Sequence, residues 1–215
     1  MTGRAIPEEG SGTGAGARGR GRPPSEQTER AILDATVDLL AEGGLARLTM
    51  EEVASRARVG KASVYRRWPS KGTLAFDAFV TRFLERQPLV DTGSLQGDLL
   101  AALRGWVRTV KDPATGRTLR GLLAEVQRDP ELAEVWRERF LEPLRVRTRQ
   151  IVGNAVRRGE LPAGTDADVV LDLCFGPLYY RLLQGHRPLT DGFVHAVVGS
   201  VVGAAQAGVL GGRAS

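Results

Sequence analysis

Between Val53 and Phe76 the chain carries no aspartate or glutamate, but it holds Arg56, Arg58, Lys61, Arg66, Arg67 and Lys71. Tyr65 and Trp68 sit inside the same window. Guanidinium and ammonium groups clustered with one sign attract phosphate, and arginine can also pair bidentately with a guanine edge. The chemistry such residues do is binding to nucleic acid. A solvated charged face is the plainer alternative. If Val64 and Trp68 share a buried helix face, then Lys61, Ser63, Arg66 and Arg67 face outward. Tyr65 is expected to bury its ring and offer its hydroxyl to a phosphate. Lys71 falls in the first turn of the next helix, where free backbone N–H groups add to the attraction.

Other chemistries find little material. There are two histidines, His186 and His195, and one cysteine, Cys174. No nucleophile motif, metal-ligand cluster or phosphate-cradling loop is present, and the glycines at 10–21 lack a flanking strand and helix. The chain is therefore expected not to be an enzyme and to need no metal or cofactor. One cysteine forms no disulfide within the chain and suits a reducing cytoplasm, with association to the nucleoid. Cys174 reads as a small core residue.

The 215 residues are 42% hydrophobic and 26% charged, with a net charge of +5 and a pI near 10.0. Alternating strand patterns are almost absent, so the expected fold is all-α, with about nine helices. Ser25 reads as the N-cap of a first helix carrying Leu33, Val37 and Leu40 and ended by Gly43-Gly44. Thr49 with Glu52 forms a capping box for a second helix, whose apolar face is Met50, Val53, Ala54 and Ala57. The turn Arg58-Val59-Gly60 leads to a third helix from Lys61 to about Trp68. Pro69 stops it, and Ser70 caps a fourth helix bearing Leu74, Phe76, Phe79 and Val80. Further helices are expected near 95–111, 115–128, 130–157, 166–184 and 190–209. Pro143 and Pro177 should kink two of them rather than end them.

A short helix, a tight turn and a second short helix make a helix-turn-helix. The stretch from Leu48 to Lys71, with Ala41-Glu42-Gly43-Gly44 before it, resembles the DNA-binding domain of the TetR family of repressors. The close likeness covers about 26–80, and a looser one lies in Phe175-Gly176-Pro177-Leu178-Tyr179-Tyr180-Arg181. The resemblance implies that Lys61, Ala62, Ser63 and Arg66 approach bases. It implies that Thr49, Tyr65, Arg67 and Lys71 meet phosphates. Two positions depart from the family pattern. Gly60 replaces the usual Ser or Thr cap, and Arg58 stands where glycine is common, so it is strained if φ there is positive.

The expected organisation is a disordered basic arm over 1–24, a DNA-binding domain over 25–71, and a ligand-binding and dimerisation domain over 72–210. Arg18-Gly19-Arg20-Gly21-Arg22-Pro23 resembles the core of AT-hook peptides. Arg20 and Arg22 would then enter a minor groove; a basic solubilising tail is the alternative. By family analogy, 166–184 and 190–209 form a homodimer four-helix bundle, and Gly199 and Gly203 permit close approach. An ordinary buried helix is the alternative. The run Phe193–Leu210 is interrupted by His195, Ser200 and Gln206, which argues against a membrane span.

Trp106, Leu122, Trp136, Phe140, Phe175 and Tyr179 are candidate lining for a small-molecule effector pocket, each also readable as plain core. Arg181 and Gln184 either orient a polar ligand or are solvated. A C2 dimer would read a pseudo-palindromic double-stranded operator. The function expected is a repressor released by an effector. An activator or an architectural DNA-binding protein of the same fold are the alternatives.

Overall fold

The computed structural model describes residues 24–85 and 91–211. The arm with Arg20 and Arg22 lies outside the described residues. The described chain is helical throughout. In order come α1 (Pro24–Arg47), α2 (Met50–Arg56), α3 (Lys61–Tyr65), α4 (Lys71–Glu85), α5 (Leu95–Lys111) and α6 (Pro113–Val126). They are followed by α7 (Pro130–Trp136), a π-helical turn at Arg137–Leu141, α8 (Glu142–Arg157), α9 (Ala167–Gln184) and α10 (Asp191–Gln206). Because α7, the π turn and α8 run on without a break, these segments make nine helical rods among the described residues.

The caps explain most boundaries. The Thr49 hydroxyl accepts from the Glu52 N–H at 3.2 Å and donates to the Glu52 carboxylate at 2.9 Å. Ser70 accepts from the Thr73 N–H. Asp112 caps α6 through the Thr115 N–H at 2.9 Å, so that helix starts at Pro113 rather than near 115. Proline at the first helical position loses a donor that has no helical partner anyway. The same allowance lets α1 begin at Pro24, one residue before the expected Ser25 cap.

At Gly44 (φ 67°, ψ −175°) the first helix breaks as expected, and the helical chain resumes only for a last turn to Arg47. One expectation needs correction. The third helix is shorter than expected: regular structure ends at Tyr65, and Arg66-Arg67 form a turn that swings Trp68 inward.

Pro143 and Pro177 interrupt no helix. An α-helix would press the Pro143 ring against the carbonyl four residues back, at Arg139. The π turn that contains Arg139 widens the helix at that place.

One hydrophobic core runs through both halves. Ile32, Leu48, Val53, Val64 and Leu74 form its N-terminal end, and Leu103, Trp106, Leu119, Leu122, Cys174 and Val198 its other end. Helix α6 packs on α1 and α4 as well as on α5, so the two halves share a wall. At the start of α5 a buried carboxylate, Asp98, accepts from the Thr92 N–H and hydroxyl at 2.6 and 2.7 Å. Arg158 reaches Asp98 at 3.4 Å and Glu160 at 2.5 Å, and Glu160 accepts from the Leu95 N–H at 2.8 Å. This network ties the head of α5 to the end of α8.

Candidate nucleic-acid interface and regulatory interior

Helix α3 is five residues long, too short to hold itself together. Tertiary anchors fix it. Val64 is fully buried, and Trp68 is 4% exposed. The Trp68 indole N–H donates to Asp77 Oδ2 on α4 at 2.8 Å. With that face locked, Lys61, Ala62, Tyr65 and Arg66 are exposed and Ser63 and Arg67 half-buried. Thr49 is exposed at the head of α2, and Lys71 is half-buried at the head of α4. The helix-turn-helix therefore gathers all eight described DNA-contact candidates around one short helix. One detail differs from expectation: the Tyr65 ring is not buried but 47% exposed. Its hydroxyl lies within hydrogen-bonding reach of the Glu51 carboxyl on α2.

The tight turn has the strain that its sequence suggested. Arg58 has φ 55°, the one positive φ at a non-glycine among the described residues. Gly60 caps α3 with extended backbone (φ −70°, ψ 142°), and no side chain closes the cap. The Gly60 carbonyl accepts from the Ser63 N–H at 2.9 Å.

Carboxylates outside the acid-free window hold part of this basic surface in place. Lys61 Nζ lies 3.3 Å from Glu51 Oε1. The Glu51 carboxyl is held below its ordinary range, first by its own backbone N–H and then by Lys61. Arg56 forms a two-pronged pair with Glu42, whose carboxyl is lowered chiefly by that hydrogen bond. Lys71 reaches the Leu45 carbonyl at 3.4 Å, and Arg67 the Ser63 carbonyl at 3.3 Å. Arg66 is the exposed arginine aimed outward from the end of α3.

Sequence reasoning missed Asp77. One of its oxygens takes the Trp68 indole, and the other takes Arg139 of the π turn at 2.6 Å. Arg139 also lies over the Phe76 ring, 5.6 Å from its centroid. The carboxylate thus links the reading helix to the regulatory half. The available signal was an acid set between the apolar positions Phe76 and Phe79 on α4.

The six candidate pocket residues fall into two ring clusters and one aliphatic position. Trp136 meets Phe140 at 4.5 Å with tilted rings and stacks on Phe79, which also meets Phe140 at a tilt, while Phe76 joins through Trp136. Trp106 meets Tyr179 edge-on at 5.1 Å and Phe175 at 6.1 Å. Leu122 is fully buried on α6. Trp106 Nε1 and the Tyr179 hydroxyl are sealed from solvent, and they have no hydrogen-bond partner beyond a loose bond of the indole N–H to the phenol oxygen. Burial pushes the Tyr179 hydroxyl up to about 12, and that hydrogen bond from the indole acts the other way. Arg181 is structural: it lies 3.3 Å over the Phe193 ring and donates to the Pro188 carbonyl at 2.8 Å. Cys174 is fully buried, and burial pushes its thiol up to about 12, so it is a core residue as expected.

Among the described residues no helix is long and apolar enough to cross a membrane, and no group of His, Cys, Asp and Glu could hold a metal ion. A helix-turn-helix with an outward basic face, joined through α4 to an all-helical second domain, defines a DNA-binding regulator of the two-domain bacterial type.

Comparison with known proteins makes this specific. Residues 32–78 match the family of bacterial regulatory proteins, tetR family, and residues 89–201 match the tetracyclin repressor-like C-terminal domain. The chain belongs to the TetR family of transcriptional regulators. It is 35% identical over 177 residues to the HTH-type transcriptional regulator YdeS of Bacillus subtilis (strain 168), covering 82% of this chain and 89% of that protein. It is 29% identical over 180 residues to the DNA-binding transcriptional repressor TetR of Mycobacteroides abscessus, covering 82% and 93%. The crystal structure of the TetR family transcription regulator SCO0332 superposes with a TM-score of 0.73 at 32% identity, covering 82% of this chain and 97% of that one.

Proposed function

We propose that the protein is a homodimeric repressor that reads a pseudo-palindromic operator through α3 and leaves it when a small molecule enters the regulatory half. The outward set Lys61, Ala62, Ser63 and Arg66, backed by buried Val64 and Trp68, carries this reading. Those side chains contact bases, with Arg66 the main discriminator. Thr49, Tyr65, Arg67 and Lys71 contact phosphates. The printed name of the Mycobacteroides abscessus relative, a repressor, supports the sign of regulation. The protein acts on cytoplasmic DNA and catalyses no reaction.

Dimerisation uses α9 and α10. Leu173, Tyr180 and Leu183 are exposed on α9, beside an apolar groove of about 410 Å³ that includes Leu173, Pro177, Phe193, Val197 and Val201. A β-carbon added at Gly199 or Gly203 would meet nothing within 4 Å. Open apolar area of this kind supports a second copy as its cover. Such a dimer would set two reading helices about one DNA turn apart, ~34 Å.

The test is selection of bound sequences from a random double-stranded DNA pool at physiological salt, followed by two variants. A two-fold related motif is expected. Arg66→Ala should lower affinity for that motif by roughly 5- to 100-fold and relax one base position. Lys71→Ala should weaken selected and random DNA alike. Recovery of no motif, with binding lost at moderate salt, would replace this reading with architectural binding.

A further inference from the structure

Asp77 is a carboxylate set between the buried Phe76 and Ala78 on α4, and its side chain is 20% exposed. Its two oxygens serve two distant elements. Oδ2 accepts from the Trp68 indole N–H at 2.8 Å, and Oδ1 accepts from Arg139 Nη1 at 2.6 Å. Trp68 follows the turn after α3, and Arg139 belongs to the π turn between α7 and α8.

Both bonds are needed to fix the carboxylate. The last torsion of an aspartate is soft, so one hydrogen bond leaves the carboxylate plane free to rock. A charge-assisted bond to the other oxygen holds it. Arg139 is steadied in turn by the Phe76 ring, whose centroid lies 5.6 Å from the guanidinium carbon. The π turn also takes hold of α4 further along, where Trp136 stacks on Phe79 and Phe140 meets the same ring at a tilt. Phe76, Asp77 and Phe79 are thus all gripped from the regulatory half.

The far end of this grip is the reading helix. Five residues cannot hold a helix by themselves, so the pitch of α3 comes from its anchors, Val64 and Trp68. Arg66 stands two residues before Trp68. A two-pronged contact with a base edge depends on that pitch, whereas attraction to phosphate depends on it little.

We propose that Asp77, held by Arg139, is a positioning residue for sequence discrimination. It sets the pitch of α3 through Trp68, so an arginine 62 residues further along the chain governs how well Arg66 tells one base from another. This rests on the reading of α3 as the base-reading helix and adds a control point outside the DNA-binding domain.

The experiment measures, on the full-length chain, the ratio of affinity for the selected motif to affinity for a random duplex at one salt concentration. General loss of folded protein lowers both affinities alike and leaves this ratio where it was. Arg139→Gln should weaken the motif roughly 3- to 10-fold and random DNA by less than about twofold. Asp77→Asn should lower the ratio at least as much, and the double variant no further than Asp77→Asn alone. Arg149→Gln is the control, since it removes a comparable exposed ion pair with Glu142 and Asp168 on α8 and α9, and it should leave the ratio unchanged. The second readout needs no DNA: the Trp68 indole N–H signal in a two-dimensional ¹H–¹⁵N spectrum, assigned by its loss in Trp68→Phe. It should move in Arg139→Gln and stay in Arg149→Gln. If Asp77→Asn does not fold, Arg139→Gln decides, because that side chain is 53% exposed. A ratio that Arg139→Gln lowers no more than Arg149→Gln does, or an unmoved Trp68 signal, would each overturn the proposal and leave the operator reading standing. Selection of no motif would remove the operator reading and this one with it.

Discussion

Trp68 and Trp106 are both sealed indoles, one under the reading helix and one in the regulatory half. The first has its N–H answered by Asp77, which also takes Arg139. The second has only a loose bond to the Tyr179 phenol beside it, and neither group has another partner. Around Trp68 every polar group needed to hold α3 is present in the chain itself. Around Trp106 the two polar groups have only each other. A surface that must present a fixed set of side chains to DNA is anchored by a carboxylate, whereas the second indole is held by ring packing and one loose hydrogen bond.

The comparison can be broken by matched truncation, which also carries the largest expected difference. Trp68→Phe and Trp106→Phe remove the same indole edge from equally buried sites, so the cavity terms are similar. The first also removes a well-formed hydrogen bond to a carboxylate and takes a partner from Asp77, whereas the second removes only the loose bond to the Tyr179 phenol. Trp68→Phe should therefore destabilise by about 1–2 kcal/mol more than Trp106→Phe. Urea unfolding of the two variants measures this directly. Equal losses would mean that the Trp106 N–H is satisfied in solution.

The difference between the regions also explains what the sequence made legible. Helix order was readable, because caps and breakers such as Thr49, Ser70, Asp112 and Asp129 act within three residues of themselves. The exposed face of α3 was readable too. Val64 and Trp68 mark the buried side of a short helix, and Lys61, Ala62 and Arg66 fall on the exposed side. The regulatory interior was not, because its meaning lies between helices distant in the chain. Trp106 and Tyr179 are 73 residues apart, and no periodicity says that they meet. The split of the six pocket candidates into separate ring clusters was equally hidden. Asp77 was missed for a related reason: a lone carboxylate on an apolar helix has meaning only once Trp68 and Arg139 arrive from either side. The end of α3 at Tyr65 was missed because helix signals place stops poorly when a turn such as Arg66-Arg67 still has near-helical backbone.

A smaller effect sharpens the contrast through pH. The Tyr179 hydroxyl is raised from 10.0 to about 12 in the folded chain. Below pH 10 both folded and unfolded chains keep the proton, and the group adds nothing to the pH slope. Between pH 10 and about 12 the unfolded chain loses the proton and the folded chain keeps it. Unfolding is then favoured as pH rises, so the unaltered protein loses stability in that window. Tyr179→Phe lacks this loss. The difference in Tm between variant and parent should therefore grow in the variant's favour from pH 9 to pH 11.5, while remaining flat from pH 6 to pH 9. A flat difference across the whole range would place the hydroxyl in contact with water.

The smallest effect tests whether the reader end is as finished as its hydrogen bonds suggest. Arg58 at φ 55° takes a conformation that a side chain disfavours. Its N–H donates to the Ser55 carbonyl at 3.1 Å and the Val59 N–H to Ala54 at 3.0 Å, so the turn geometry is fixed by backbone bonds that any residue could make. Glycine removes the β-carbon penalty but adds freedom to the unfolded chain, and the two partly cancel. Arg58→Gly should stabilise the protein by about 0.5–1 kcal/mol. Thermal unfolding would show a Tm raised by a few degrees with unchanged cooperativity. DNA binding then says why arginine is there. If Arg58→Gly raises Tm and weakens the selected motif and random DNA equally, the arginine is retained for a phosphate contact and the strain is part of the reading surface. If it raises Tm and leaves both affinities alone, the turn only carries the strain, and the reading surface begins at Lys61.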